Sequence, residues 1–358
     1  MAGLSFHGTT MSHRLLTLPT LALLLCCAVF SVSTHARQAD DGGGDGASRA
    51  ARASRGLIGQ PAPAAVLRTL DGAAIDLGAL YGKKPVYLKF WATWCTICLE
   101  QMPEFARLHA RYRGQIEIVA VNAGFSETDA AVRAYRNEHK LAMPVAIDDG
   151  SLGRKLNLRV THQHVVIGPD GRILHIGHKH DKQLIAALDL AAARTGAAAP
   201  PLASSGTSPS YRQGEKVSGF TLTTIDGMSA ALGRPGRIQA LVFFSPWCES
   251  YLRESRPRTA QACQRVRRES ERLARSSEAD WFGISGPVWS SSGELAEYAK
   301  VHKTRIPLAL DSTGEIFAAF GIRDMPSVVL LDGSARIARV LGPDDRDLEQ
   351  ALRSLRRR

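Results

Sequence analysis

Two short stretches of the sequence place a cysteine directly after a tryptophan at the end of an apolar run. The first reads FWATWCTIC and carries Cys95 and Cys98. The second reads FFSPWCESY, so Cys248 is followed three residues later by Tyr251 instead of a second cysteine. Two thiols at the first spacing exchange disulfides or bind a soft metal ion, because both reactions use thiolates. The sequence therefore predicts thiol chemistry at the first stretch and an incomplete copy at the second.

Composition, charge and the absence of other sequence motifs limit which other classes of function this sequence can have. Hydrophobic residues make up 44% of the 358 residues and charged residues 22%, as in an ordinary globular protein. The net charge is +11, and part of the excess lies in residues 265–275 and 356–358. No nucleic-acid-binding motif accompanies these arginines, so we interpret them as solvent-facing and expect no nucleic-acid partner. No phosphate loop, dinucleotide fingerprint or peroxidase cysteine motif is present in the sequence.

The N-terminal residues have the pattern of a secretory signal. An apolar stretch over 15–32 follows a His-Arg pair, and small residues up to Ala36 offer a cleavage site. We expect residues 1–36 to be a signal peptide, with Met11 as the better start. If it were uncleaved, the apolar stretch would be long enough to tether the protein to a membrane. The pattern predicts export, with the bacterial periplasm as the expected compartment.

The rest of the chain divides into two segments that match each other. Residues 37–56 are small and polar and predict a disordered leader, and residues 191–212 have the composition of an interdomain linker. The two remaining segments are 57–190 and 213–358. Beyond the cysteines, equivalent residues recur at an offset of 163 or 164. A period this long indicates duplicated domains.

Local patterns predict the order of elements within each segment. The short apolar runs VYLKFWA and IEIVAVNA are typical of buried strands in a parallel sheet. ETDAAVRAYRNEHK has helical spacing, and HVVIGPDGRILHI reads as a hairpin around a Pro-Asp-Gly turn. Strands that alternate with helices and end in a hairpin predict an α/β fold, with a central mixed sheet flanked by helices.

These motifs resemble the thioredoxin fold. The WCTIC sequence follows a strand and precedes a helix that is broken at Pro103, and GQPAPAAVLRTLDG with KFWATWC is similar to exported thiol–disulfide oxidoreductases of the TlpA/ResA type, in the redoxin (AhpC/TSA-like) superfamily. The resemblance implies two tandem thioredoxin-like domains and a protein-disulfide reductase type of enzyme. It also implies protein thiol substrates, a redox partner that resets the dithiol, and no cofactor beyond a redox-active disulfide.

The resemblance assigns roles around the first cysteine pair. Cys95, at a helix N-terminus, is the attacking thiolate, and Cys98 is the resolving thiol. Trp94 is expected to pack over the pair. Gln101 stands where family members often have a glutamate, with Glu100 beside it. The competing interpretation is a disulfide that only stabilises the fold, although so small a loop would constrain little.

A histidine replaces the family's cis-proline in the first domain. The second domain has Pro326, and counting back 164 residues gives Thr161-His162. We expect a trans Thr161–His162 peptide, because a cis bond to a non-proline residue costs about 3 kcal/mol. His162 has two open roles: it stabilises the Cys95 thiolate, or it joins Cys95 and Cys98 in a three-ligand Cu(I) or Zn site. For it and the other histidines nearby, a surface role without function is the third interpretation.

The second site keeps some of these features. Cys248 holds the nucleophile position, Tyr251 replaces the resolving cysteine, and Glu254 fills the carboxylate position. Cys263 lies 15 residues beyond Cys248, about 22 Å along an uninterrupted helix, so we expect the two not to pair. Either the second domain is a degenerate copy that braces the first or binds a partner, or Cys248 exchanges disulfides with the first pair.

Three functions remain open on the sequence alone. The first is an exported thiol–disulfide oxidoreductase acting through Cys95 and Cys98, with an accessory second domain. The second is a copper-binding or copper-delivery protein that uses these cysteines and His162. The third is a non-catalytic scaffold that binds a partner through the second domain.

Overall fold

The computed structural model describes residues 46–193, 210–276 and 278–355. All of these residues belong to one compact unit that spans 40–358. The predicted signal peptide, the first part of the predicted leader and most of the predicted linker lie outside the described residues. Within the described ranges, no helix has both the length and the apolar character needed to cross a membrane.

The first half of the described chain forms one α/β domain. Its elements are α1 (Gly46–Ala53), β1 (Val66–Arg68), β2 (Ala74–Asp76), α2 (Leu77–Leu80), β3 (Val86–Trp91), α3 (Thr96–Glu100), α4 (Met102–Arg111), β4 (Glu117–Asn122), α5 (Asp129–Glu138), β5 (Val145–Ile147), α6 (Ser151–Lys155), β6 (Gln163–Ile167), β7 (Ile173–Gly177) and α7 (Lys182–Ala193). Strands β3, β4 and β5 are parallel, whereas β6 and β7 run antiparallel, in the order β5-β4-β3-β6-β7. The predicted strands, helix and hairpin are therefore confirmed.

The second half repeats this architecture. Its elements are β8 (Thr221–Thr223), β9 (Ser229–Ala231), β10 (Gln239–Phe244), α8 (Cys248–Ser255), α9 (Pro257–Leu273), β11 (Asp280–Ser285), α10 (Ser292–His302), β12 (Leu308–Leu310), α11 (Glu315–Ala319), β13 (Ser327–Leu331), β14 (Ile337–Leu341) and α12 (Leu348–Leu355). The sheet order β12-β11-β10-β13-β14 matches the first sheet strand for strand. The duplication and the predicted fold class, two tandem thioredoxin-like domains, are confirmed.

The central strand of each sheet is buried along its whole length. All six residues of β3 and all six of β10 are buried, because helices cover both faces of the sheet. Burial on both faces explains why the two runs, VYLKFW and QALVFF, do not alternate between apolar and polar residues. The one charged residue in either strand is Lys89, and it is 1% exposed.

The predicted disordered leader and the predicted linker each contain ordered residues at one end. Helix α1 lies within the predicted disordered leader and packs beside β7, with Ala50 fully buried. Its Arg49 forms an ion pair with Glu294 of the second domain at 2.5 Å. At the linker's far end, the ring of Tyr211 packs 5.6 Å from that of Phe320. The prediction of disorder was wrong for 46–56, because small alanines let this helix approach the sheet closely while its arginine reaches an acidic partner.

Candidate functional site

The first cysteine pair forms a disulfide where β3 gives way to α3. The Cα atoms of Cys95 and Cys98 are 5.2 Å apart, with an S–S distance of 2.03 Å. Cys95 caps the N-terminus of α3, and its sulfur accepts a hydrogen bond from the backbone N–H of Cys98 at 3.3 Å. Free N–H groups and the dipole at a helix start stabilise a thiolate there. The geometry is therefore suited to an attacking thiolate at Cys95 once the disulfide is reduced.

Both cysteines are buried among apolar side chains. Cys95 is 2% exposed and Cys98 is fully buried, and both belong to a packed cluster that contains Trp94. The indole N–H of Trp94 donates to the carbonyl of Phe125 at 2.9 Å, which fixes the ring beside the pair. A disulfide so covered reacts with an external partner only after the covering groups move or admit that partner.

A buried lysine that sequence reasoning missed lies behind this site. The ammonium of Lys89 donates to the side-chain oxygen of Gln101 at 3.4 Å and lies 5.3 Å from the ring centre of Phe105. Burial lowers the pKa of Lys89 to about 7, because the apolar interior disfavours the charged ammonium. The sequence signal was the one lysine inside an otherwise apolar strand.

The two residues considered for the carboxylate position differ in their contact with this lysine. Gln101 is partly buried and accepts from Lys89, whereas Glu100 is exposed on the outer face of α3. Only Gln101 therefore connects the cysteine helix to an interior titratable group. The Gln101 amide does not titrate, whereas the Lys89 ammonium to which it is hydrogen-bonded does.

The loop before β6 holds a cis peptide bond between Thr161 and His162. The expectation of a trans bond was wrong: the bond is cis, as is the Met325–Pro326 bond at the matching position of the second domain. His162 is 1% exposed, and its ring stacks on that of His178 with centres 4.3 Å apart. Neither ring nitrogen of His162 has a hydrogen-bond partner among the described residues.

The histidines form an interior group, not a surface strip. Burial, helped by the neighbouring charges of His178 and Lys89, lowers the pKa of His162 to about 3, so its ring is neutral. His164 is completely buried beside it and shares a hydrogen bond of 2.8 Å with the hydroxyl of Tyr87. Burial also holds the pKa of His164 well below its usual value. The surface interpretation was wrong for these two residues, since each is only 1% exposed.

The proposed metal ligands do not assemble into a metal site. Cys95 and Cys98 are joined as a disulfide, and His162 faces His178 and His164. Across the ranges that the structure describes, no group of three or more His, Cys, Asp or Glu residues is arranged to hold a metal ion. The donor set predicted for Cu(I) or Zn is therefore not brought together in this form of the protein.

The second site contains a disulfide that the sequence analysis ruled out. Cys248, the first residue of α8, is bonded to Cys263 on α9, with their Cα atoms 6.3 Å apart. The expectation assumed one continuous helix. Instead α8 ends at Ser255, Arg256 leaves the helical conformation, and α9 starts at Pro257 and packs back against α8. Proline at a helix start lacks the N–H that would have continued the previous helix, and the chain turns there.

The other residues of the second site differ in their exposure and in their contacts. Tyr251, at the position of the missing cysteine, is 44% exposed and accepts a hydrogen bond from the backbone N–H of Thr96 at 3.3 Å. Glu254 is exposed on the outer face of α8. Pro326 follows a cis bond as predicted, and it lines a small cavity together with Cys263.

The two sites face each other across the contact between the domains. The rings of Trp94 and Trp247 pack with centres 5.2 Å apart. In the first domain, the hydroxyl of Ser126 accepts from the backbone N–H of Met325 at 3.2 Å; in the second, the indole N–H of Trp289 donates to the hydroxyl of Thr161 at 3.2 Å. Each domain thus contacts the cis-peptide loop of the other.

A buried carboxylate fixes this contact beside the first cysteine pair. The side chain of Glu127 is fully buried and accepts from the hydroxyl of Thr93 at 2.7 Å. Arg256, from the turn between α8 and α9, pairs with Glu127 at 3.3 Å and also donates to Thr93. A cleft of about 700 Å³ opens next to this contact, lined by Trp94 and Phe125 of one domain and Phe317 and Arg323 of the other.

The fold and the site together define a class of protein. A five-stranded mixed sheet, a disulfide at the start of a helix and a cis peptide in the facing loop are the features of a thioredoxin-like protein. Residues 58–176 match the AhpC/TSA family. The chain is 34% identical over 135 residues to the thioredoxin-like protein YneN of Bacillus subtilis, covering 37% of this chain and 79% of YneN. This chain belongs to the thioredoxin-like family.

Other relatives carry names that state a reaction. The chain is 44% identical over 94 residues to the thiol-disulfide oxidoreductase ResA of Bacillus anthracis, which covers 26% of this chain and 53% of ResA. It therefore spans about half the length of that relative. A thiol:disulfide interchange protein of Chlorobium tepidum has a structure that covers 37% of this chain and 96% of its own, with 21% identity and a TM-score of 0.34.

Proposed function

We propose that this protein is a thiol–disulfide oxidoreductase that exchanges disulfides with protein thiols through Cys95 and Cys98. The observation that carries the proposal is the disulfide between these cysteines at the N-terminus of α3. Names of relatives such as ResA support the same reaction. A redox partner that resets the pair completes the cycle.

The chemistry balances within the pair. In the reducing direction, the Cys95 thiolate attacks one sulfur of a substrate disulfide and forms a mixed disulfide, and one substrate thiolate leaves. The Cys98 thiolate then attacks Cys95, which restores the internal disulfide and releases the second substrate thiolate. Two electrons pass to the substrate, together with the two protons that the pair gives up. The oxidising direction runs the same steps backwards.

The interior behind the pair supplies a titratable group for this proton exchange. Lys89 changes its charge near neutral pH, since its pKa is about 7. It donates a hydrogen bond to Gln101, which lies three residues beyond Cys98. We expect a protonated Lys89 to favour the thiolate form of the pair below about pH 7. His162 and His164 stay neutral over this range.

The second domain limits access to the first disulfide. Trp247 and Tyr251 contact the residues on either side of Cys95, which is 2% exposed. An accessory role follows for this domain: it admits substrates through the cleft beside Trp94 or moves away from them. The same surface would serve a partner that the second domain recruits.

The location of the reaction is part of the proposal. The pattern of residues 1–36 supports export to the bacterial periplasm, either as a free protein or tethered by an uncleaved N-terminal segment. Sequencing the N-terminus of the protein recovered from a periplasmic fraction tests this directly. A mature chain that starts after Ala36 fits cleavage, and a chain found only in the cytoplasm contradicts export.

Two matched serine variants test the reaction. Cys95→Ser should lower the rate of disulfide reduction in a model protein by about 1,000-fold or more, because it removes the attacking thiolate at the start of α3. Cys98→Ser should instead accumulate a mixed disulfide between Cys95 and the substrate, visible on non-reducing gels. Full turnover in both variants would contradict the proposal and favour a scaffold. Tight stoichiometric Cu(I) binding by the reduced protein, lost in both variants, would favour the copper alternative.

A further inference from the structure

The second domain carries a complete cysteine pair of its own. Cys248 occupies the start of α8, as Cys95 occupies the start of α3, and it is bonded to Cys263 instead of to a residue three positions on. Both domains therefore hold a disulfide whose first sulfur lies at a helix start. The cis-proline loop is next to the second disulfide, since Cys263 and Pro326 line one cavity.

The residues that flank Cys95 contact the residues that flank Cys248. On one side, the rings of Trp94 and Trp247 pack against each other. On the other side, the backbone N–H of Thr96 donates to the hydroxyl of Tyr251. The two nucleophile positions are thus brought face to face by contacts both before and after each cysteine.

All four sulfurs lie in one buried cluster. Cys95, Cys98, Cys248 and Cys263 belong to the same group of packed side chains, which crosses the contact between the domains. Their exposures are 2%, 0%, 0% and 6%. A buried disulfide is hard for an external thiol to reach, whereas a second cysteine pair packs in the same buried cluster.

We propose that Cys248 and Cys263 form a second redox-active disulfide that exchanges electrons directly with the first pair. This rests on the proposed function, in which an external protein thiol reduces Cys95 and Cys98. Cys263 is the new participant: it lets the second site resolve its own mixed disulfide.

The exchange balances in atoms and electrons. The Cys95 thiolate attacks the sulfur of Cys248, the Cys248–Cys263 bond breaks, and Cys263 leaves as a thiolate. The Cys98 thiolate then attacks Cys95, which closes the first disulfide and releases Cys248 as a thiolate. Two electrons move from the first pair to the second, and the two protons lost by the first pair are taken up by the second.

Trapping the intermediate in the full-length chain tests the exchange. In the variant Cys98→Ser with Cys263→Ser, mild oxidation should join Cys95 to Cys248 in most chains, as seen in a non-reducing tryptic digest by mass spectrometry. The matched control is Cys98→Ser with Cys248→Ser, which leaves Cys95 and Cys263 and should give at least about tenfold less cross-link. Equal cross-linking in the two variants, or none in either, overturns the proposal.

A measurement on the unmutated chain covers the case in which these variants fold poorly. One equivalent of a dithiol reductant is added to the oxidised protein, and the four cysteines of the two disulfides are followed by differential alkylation. The exchange predicts that both pairs become partly reduced and reach a shared equilibrium. Cys248 and Cys263 that stay oxidised until the chain unfolds would show a disulfide with only a structural role.

The same experiments separate this proposal from the proposed function. If Cys98→Ser traps an external substrate but the double variant forms no Cys95–Cys248 bond, the proposed oxidoreductase is supported and the proposed exchange is contradicted. If the Cys95–Cys248 bond forms but the protein never traps or reduces an external disulfide, the exchange is supported and the proposed substrate class is contradicted.

Discussion

The two domains share a scaffold and differ in what lies beneath their cysteines. Lys89 on β3 is paired across the sheet with His164 on β6, whereas the same positions of the second domain are Val242 on β10 and Val328 on β13. At this pair of positions the first domain therefore buries two titratable side chains, and the second buries two apolar ones. Identical strand order thus coexists with different side-chain chemistry at matching positions of the central strands.

The cysteine pairs differ in the same way. The first pair lies within one helical turn and is connected through Gln101 to a buried lysine. The second spans two helices, with Cys263 held by the turn at Arg256. A duplicated thioredoxin-like domain can therefore lose the helical-turn spacing of its cysteines and still bring two sulfurs into a disulfide.

The largest effect is expected from giving the second domain the first domain's lysine. Val242→Lys buries an ammonium at a position that is 7% exposed. We expect the free energy of unfolding at pH 7 to fall by about 5 kcal/mol, from the burial of charge and from overpacking. Denaturant unfolding measures this loss. Val242→Met adds similar bulk without charge and should cost less than about 2 kcal/mol; equal losses would show that bulk alone matters.

The reciprocal change should stabilise the first domain in a pH-dependent manner. The pKa of Lys89 falls from 10.5 to about 7 in the folded protein, so the unfolded chain binds more protons between these values and stability rises with pH there. Lys89→Met removes that dependence and should raise the free energy of unfolding at pH 7 by on the order of 4 kcal/mol.

The control for this change lies on the surface of the same domain. Lys83 is exposed, and Lys83→Met makes the same substitution outside the buried strand. The difference between Lys89→Met and the unmutated chain should shrink steadily as the pH approaches 10.5. A difference that is constant with pH would mean that Lys89 keeps its ordinary pKa in the fold.

The smallest effect concerns a feature that the domains share. Asp148 accepts from the backbone N–H groups of Leu152 and Gly153 at the start of α6, and Asp311 accepts from that of Phe317 in α11. Burial raises the pKa of Asp148 from 3.8 to about 6 and raises that of Asp311 as well. The folded protein then holds extra protons between pH 3.8 and 6, so stability falls as the pH rises through this window.

Replacing either aspartate with asparagine should remove the contribution of that carboxyl group to the pH dependence of stability. We expect Asp148→Asn to flatten the pH dependence by about 3 kcal/mol across the window, and Asp311→Asn to act in the same direction. Thermal unfolding followed between pH 3.5 and 7 measures both. If the two variants changed the pH dependence of stability in opposite directions, the two aspartates would not have matching roles in the two domains.

The fold and the first cysteine pair could be predicted because their signals are local. Apolar runs bounded by turns identify β3 and β4, and Trp-Cys at a strand end marks the start of a helix. The internal repeat then extends the prediction to the second domain, including the cis bond before Pro326.

What the sequence did not predict depends on contacts between distant residues. Pairing of Cys248 with Cys263 requires that the chain reverse at Pro257, which a distance along a straight helix cannot show. The burial of His164 and the facing of the two sites depend on packing between elements and between domains. Lys89 was visible as one charge in an apolar strand, but its pKa follows only from its enclosure.

The most direct test of the account is a redox titration of Cys95 and Cys98 in the full-length protein. The chain is equilibrated in buffers of defined potential, alkylated, and analysed for each cysteine by mass spectrometry. A redox-active pair should be reduced in one two-electron transition, with both cysteines changing together at a potential above about −300 mV. A pair that remains oxidised below about −300 mV while the protein is folded would be a structural disulfide. That result would contradict the proposed oxidoreductase.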